Sequence, residues 1–468
     1  MLKKGSFLHN LSFVFGAQSL VLIISVLRAL ILPKFLPVDG FGYWEIYLFY
    51  TSYAGIFCLG YNDGIYLKYG ECNVEQLPME SIRSANRLFG ALLSMVALLV
   101  VIVLSSVIHD SQSFFPLCFA AGNILIMGMT SVYIYVFQIT GQFKKYSFFS
   151  VIDKIVVLFT ILLLIIVNEN NYKYVVTADF VSKIGVLVWM VMKMPGLLFG
   201  SSSGLGQAYK FMIDNMSVGI KLMIANLMSM LLVGAGKFIV QFFGDINDFA
   251  VYSFGISITG LVLTAVTAIS LVLYPTIKRI PKGDYSIIFR KVNASTRVLG
   301  LLSLLLYYPL YLFVSYFYPK YNSVLSYLSV LSLIVFFQCK ISLLNNTFYK
   351  VLRLETKMFI ANISCVLLFI VLALLFFPGH QEMGVIAICT CAAMLVRCYS
   401  SEVSLSKELT MKPDTRIFVE LALIILFFLT TWLLPLAFSA AVFIAAMILW
   451  LYADRKENKV LIDLIVRS

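Results

Sequence analysis

The sequence predicts an all-α polytopic membrane protein of about fourteen transmembrane helices, and three observations predict it. Of its 468 residues 61% are hydrophobic and only 12% charged, with a mean hydropathy of +0.95, well beyond the near-half apolar share of soluble domains. Apolar runs of roughly 18 to 27 residues, each able to cross a ~30 Å hydrocarbon core as a helix, recur along the whole chain. The short loops between them carry their positive charge on alternate sides. The net charge of +12 therefore speaks to topology and not to nucleic acid.

The runs fall near 8–32, 41–66, 88–108, 114–139, 151–167, 174–193, 216–242, 249–274, 296–317, 323–347, 358–377, 383–405, 416–433 and 436–452. The first follows Lys3 and Lys4. It is too long for a signal-peptide core and has no small-residue cleavage site, so it is expected to remain as the first span. Placing the N-terminus in the cytoplasm gathers Lys68, Arg83, Arg87, Lys144, Lys145, Lys193 and Lys210 in inner segments. Lys278, Arg279, Lys282, Arg290, Lys291, Lys350, Arg353, Lys357, Lys407, Lys412, Arg416, Arg455, Lys456 and Lys459 follow the same side. Outer loops keep only Lys34, Lys173 and Lys320 among acids such as Asp39, Asp110, Asp245, Asp248 and Glu382. Both termini are expected in the cytoplasm.

An internal repeat divides the chain. "FLPVDGFGYW" follows the first span and "FFGDINDFAVYS" the seventh, and the preceding helix of each carries one lone cation, Arg28 or Lys237. "NLS" at 10–12 and "NMS" at 215–217 open those helices, about 205 residues apart. Both run in the same direction, so the repeat is parallel, with a pseudo-two-fold along the membrane normal. Two six-helix lobes around a central cavity are expected, 1–200 and 201–410, with 411–468 as two further helices and a cytoplasmic tail. "MPGLLFGSSSGLGQAYK" between the lobes reads as a flexible joint.

Enzyme motifs are not found: no HExxH, GxSxG, P-loop or aspartate-rich cluster. Eight scattered cysteines, none at metal-ligand spacing, read as packing residues. The informative groups are ionisable residues at membrane depth. Asp179 and Lys183 can pair along one helix face. Arg28, Lys237, Lys340 and Arg397 have no acid three or four residues away, and each costs about 2.5–3.5 kcal/mol at a helix centre facing lipid. They must face an interior. One reading pairs them with acids of other helices, among which Glu45, Asp63, Glu402 and Glu420 are available. The other makes them the lining of a cationic cavity for an anionic cargo. Glu45 and Asp63 are alternatively carriers of a coupling ion, Na+ or H+; no other cofactor and no metal is expected. Tyr43, Tyr47 and Tyr50 share a helix face, as interfacial anchors or as rings facing sugars.

From Arg28 through "LPKFLPVDGFGYWEIYLFYTSYAGIFCLGYNDGIYLKYGE" the chain resembles the Wzx-type polysaccharide flippases of the multidrug/oligosaccharidyl-lipid/polysaccharide (MOP) exporter superfamily. In those proteins a lone basic residue in the first helix precedes a Leu-Pro segment with spaced glycines and aromatics, and the second helix ends in a Gly-x-x-Asp-Gly pattern. The resemblance implies a MATE-like fold in a bacterial plasma membrane. It also implies transfer of an undecaprenyl-pyrophosphate-linked oligosaccharide from the cytoplasmic to the outer leaflet by alternating access, beside a polymerase and chain-length proteins. The alternatives are a lipid II flippase of the MurJ type, a cation-coupled drug antiporter and a membrane polysaccharide polymerase or ligase. The chain lacks the dense arginine cluster associated with the first. An antiporter would need unpaired acids where this chain has bases, and the polymerases carry a large outer loop that is missing here.

Overall fold

The computed structural model describes the backbone of residues 4–453 apart from Glu71, Asn73, Arg279, Gln381 and Pro413. The tail with Arg455, Lys456 and Lys459, and also Lys3, lie outside the described residues, as do the side chains of Lys4, Asn10, Leu11, Ser12 and Lys282. Two units divide the chain, Met1–Met230 and Leu231–Ser468.

In the first unit the order is α1 (Lys4–Phe35), α2 (Val38–Tyr53), α3 (Tyr61–Tyr69), α4 (Met79–Val107), α5 (Ser111–Ile139), α6 (Phe143–Val167) and α7 (Tyr172–Lys193). It closes with the first part of α8 (Leu205–Phe243). Helix α5 is its axis, contacting α2, α3, α4, α6 and α7. Its start is fixed by Asp110, whose carboxylate accepts from the backbone N–H of Gln112 and Ser113 at 3.1 and 2.9 Å, satisfying donors that a helix leaves open at its N-terminus. Those bonds, led by the Ser113 hydrogen bond, hold the exposed Asp110 carboxyl below the usual carboxylate range.

The second unit has α9 (Ile246–Lys278), α10 (Tyr285–Leu305), α11 (Tyr307–Phe317), α12 (Leu328–Lys340), α13 (Asn346–Val351), α14 (Glu355–His380), α15 (Met383–Glu408), α16 (Ile417–Leu433) and α17 (Leu436–Ala453). Its axis is α12, which contacts α9, α10, α15 and α16 and is buried at every residue but Gln338. A π-helical segment, Ile341–Asn345, joins α12 to α13. The α9 start is a reciprocal cap: Asp248 N–H donates to Asp245 at 2.7 Å and Asp245 N–H to Asp248 at 3.2 Å. The axial helix is the fourth predicted span of each half.

Among the described residues twelve helices are long and apolar enough to cross a membrane, and the chain is a multi-pass membrane protein. The other two predicted spans are present in altered form. The run at 416–433 is a 17-residue helix, Ile417–Leu433. The run at 41–66 is not one helix, because it unwinds between α2 and α3.

The presumed joint at 195–203 is clamped. Arg83 Nε donates to the Gly196 carbonyl at 2.8 Å, and Arg87 donates to Leu198 and Gly200 at 2.6 and 3.0 Å. Asn86 donates to Leu197 at 3.0 Å, and Ser203 N–H to Ser84 at 2.7 Å. Carbonyls that loop residues cannot pair among themselves are thus satisfied by one face of α4. The expectation of a free linker is corrected: glycine and serine here allow the chain to follow that face.

Candidate functional site: a broken helix and the membrane-embedded cations

The second predicted span breaks where the backbone comes closest to a neighbour. After α2 the chain forms a 3-10 turn, Ala54–Cys58, and then passes through left-handed conformations at Leu59 (φ 49°) and Gly60 (φ 78°). A Cβ on Gly60 would overlap the Ile220 backbone nitrogen, one on Gly64 the Asn215 carbonyl, and one on Gly219 the Gly60 carbonyl. Only glycines at this spacing let α3 and the first part of α8 meet backbone to backbone. That is the physical content of the "GYNDG" motif.

Irregular backbone is tolerated at membrane depth where it lines a cavity, and a cavity of about 170 Å³ lies at the break. Ser52, Asn62, Asp63, Ser131, Tyr135 and Asn226 supply its polar lining. The Tyr135 hydroxyl donates to Asp63 Oδ1 at 3.4 Å, and Asn62 Nδ2 to the Gly128 carbonyl at 3.0 Å. Asn62 Oδ1 is buried without a partner. A carboxylate, an amide oxygen and hydroxyls around one small void form an acceptor-rich set, suited to a proton or a small cation. Glu45 is buried on α2 in the same unit.

The four cations fare differently. Arg28 is half-buried, with its guanidinium carbon 5.6 Å from the centroid of Trp44. Among the described residues it has no ion pair. Lys237, in the second unit, is half-buried with Nζ 5.9 Å from the centroid of Phe249. Arg28 and Lys237 thus each lie over an aromatic ring from the following helix, a contact whose worth grows as water is excluded.

Lys340 is a correction. It is 1% exposed, donates to both Glu420 oxygens at 2.8 Å, and lies 2.8 Å from Glu402 Oε2. Arg297 Nε donates to Glu420 at 3.0 Å and Arg297 Nη2 to Asp414 at 2.7 Å, while Asn293 donates to Glu402 at 2.6 Å. This network ties α10, α12, α15 and α16 and the segment before α16. The Lys340 charge is satisfied inside the second unit. Asp414 lies outside the spans. Burial raises its pKa, but the Arg297 hydrogen bond and charge outweigh that and hold its carboxyl below the ordinary range. Arg297 was missed by sequence reasoning because the ninth run was drawn from 296, at its edge. In fact α10 begins at Tyr285 and carries Arg297 three turns inside.

Arg397 is 2% exposed and has no acid partner among the described residues; its Nη2 donates to Asn346 at 3.0 Å and to Asn362. Its Nε and Nη1 are buried with no acceptor.

The tyrosine stripe is likewise corrected. Tyr47 is fully buried; its hydroxyl donates to Asp179 at 2.6 Å and accepts from Asn123 at 2.9 Å. Asp179 also takes the expected ion pair from Lys183. Tyr43 is buried and stacked on Tyr172 with centroids 4.9 Å apart, and Tyr50 is half-buried. Tyr43 is held by packing and Tyr47 by a buried polar network.

No family model matches the sequence, and no curated protein matches it. Solved structures do. "Lipid II flippase MurJ, inward closed conformation" superposes with TM-score 0.63 at 13% identity, over 97% of this chain and 100% of that one. An inward-facing multidrug resistance MATE family transporter of the MOP superfamily gives TM-score 0.57 at 12% identity, over 82% and 95%. The fold is that of the MOP exporters. A further MOP superfamily transporter, from Pyrococcus furiosus and described as having a binding pocket of reversed polarity, gives 0.51 at 12% identity, over 85% and 95%. Identities this low carry the MOP fold to this chain and leave cargo to the chemistry of its own residues.

Proposed function

We propose that this protein is a MOP-fold flippase that moves a polyprenyl-pyrophosphate-linked oligosaccharide from the cytoplasmic to the outer leaflet of a bacterial plasma membrane by alternating access. The observation that carries the reading is Arg28. A permanently charged guanidinium in the first membrane helix keeps no acid partner among the described residues and rests only on the face of Trp44. Its N–H donors remain for an anion, and a pyrophosphate on a membrane lipid brings one to that depth. The likeness to the lipid II flippase MurJ supports the class. The resemblance in sequence selects the oligosaccharide. Coupling by H+ or Na+ falls to Asp63 and its acceptor-rich cavity.

The test is genetic. Arg28→Ala and Lys237→Ala are each expected to lower surface polysaccharide at least tenfold, with protein abundance near wild type, as read by polysaccharide gels beside immunoblots. Arg28→Lys separates charge from shape: a mild defect means charge suffices, a severe one that the planar fork is needed. Normal polysaccharide in both alanine variants sinks the assignment.

Orientation is tested separately. Asp110, Asp245, Glu382, Lys145 and Arg353 are all exposed, and the native cysteines are buried or half-buried. Cysteines placed at the first three are expected to react with an impermeant thiol reagent in intact cells, and those at the last two only after permeabilisation. One reversed position would break the arrangement with both termini inside.

A further inference from the structure

We propose that the second unit holds a separate binding pocket for a phosphate-bearing anion, between α14 and α15, with Arg397 at its base. The pocket has a volume of about 350 Å³, and its polar lining includes Lys357, Ser364, Arg397, Ser400, Ser401 and Ser404. A guanidinium has five N–H donors. Both on Nη2 of Arg397 are taken, by Asn346 and Asn362, which leaves the three on Nε and Nη1 without an acceptor in a side chain 2% exposed. The Ser401 hydroxyl beside it is buried and also lacks a partner. A full charge with most of its donors unmet, at membrane depth, is the arrangement that proteins avoid unless a counter-charge arrives.

No carboxylate lines the pocket, so the counter-ion does not come from its walls. Lys357 stands at the rim, 46% exposed at its side chain, with its charge compensated by Glu408, so the uncompensated charge of the pocket is that of Arg397. Hydroxyl donors around one buried arginine are the chemistry of phosphate recognition. Ile360, Leu368 and Val396 add apolar wall, and the same helix α14 exposes Leu367, Val371 and Leu374. A phosphate in this pocket therefore has a track for an alkyl chain beside it, as on a membrane lipid. The same donors would hold free phosphate, and the experiment separates the two sources. The site lies within one unit and stands whether or not the chain exports a glycan.

Purified full-length protein is delipidated in neutral detergent and tested by native mass spectrometry with phosphatidylglycerol and with diacylglycerol, which lacks phosphate. Thermal stability with inorganic phosphate is measured in parallel. Ser364→Leu/Ser400→Leu fills the pocket mouth from two exposed helix positions and spares the packing around Arg397; Arg397→Gln removes the charge. The expected result is retention of phosphatidylglycerol roughly tenfold tighter than diacylglycerol by wild type, lost in the double leucine variant. Equal protection by inorganic phosphate alone, also lost in that variant, would support the same site with a water-borne ligand. Binding of phosphatidylglycerol no tighter than diacylglycerol with no protection by phosphate, or unchanged binding in the folded double variant, overturns the proposal.

Discussion

Lys340→Met is expected to lower folded-protein yield sharply and destabilise the second unit by about 3–5 kcal/mol, the range found when one partner of a buried ion pair is removed. The lysine bridges Glu402 and Glu420, whose side chains are 1% and 0% exposed. Without it two carboxylates face each other inside a membrane protein, and Arg297, which also holds Asp414, is left as the remaining cation of the network. Removing one acid as well relieves the excess, so Lys340→Met/Glu402→Gln should recover much of the loss. Size-exclusion profiles after graded heating give both values. A Lys340→Met variant as heat-stable as wild type but defective in export would return this residue to the cargo path.

The second large effect is steric. Gly64→Ala places a methyl group on the Asn215 carbonyl, and Gly60→Ala adds the strain of a side chain at φ 78° to an overlap with the Ile220 backbone. Backbone cannot step aside as a flexible side chain does, so each is expected to cost about 3 kcal/mol or more, at the upper end for overpacking. Gly185→Ala in α7 is the control, since nothing lies within 4 Å of its added Cβ; there a better helix former should be neutral or slightly stabilising. Melting temperatures of the three variants decide it, and a tolerated Gly64→Ala would mean that α3 and α8 do not cross this closely.

These two cases mark what the sequence made legible. Hydropathy located the helices because burial in lipid depends on composition over twenty residues, which is a local property. Arg28 and Lys237 stood out because no acid lies within a helical turn of either in the sequence. What stayed hidden is tertiary. The partners of Lys340 are 62 and 80 positions away, and no spacing rule links them. Arg83 and Arg87 read as topology markers, yet they also fasten the 195–203 segment. The break at Ala54–Cys58 follows from contact with α8, while its residues are apolar enough to pass for one continuous span. Tyr43 and Tyr47 showed the right period for a face, but period does not say what the face meets.

The central claim is that Arg28 serves an anionic lipid-linked cargo. Its most direct measurement is translocation by purified protein in liposomes carrying a polyprenyl-pyrophosphate-linked oligosaccharide, with glycan exposure scored by an impermeant glycosidase. Wild type is expected to expose the inner pool under an imposed H+ or Na+ gradient, with Arg28→Ala, folded and inserted to the same extent, at least tenfold slower. Equal rates for the two proteins, or no movement by wild type, would contradict the account.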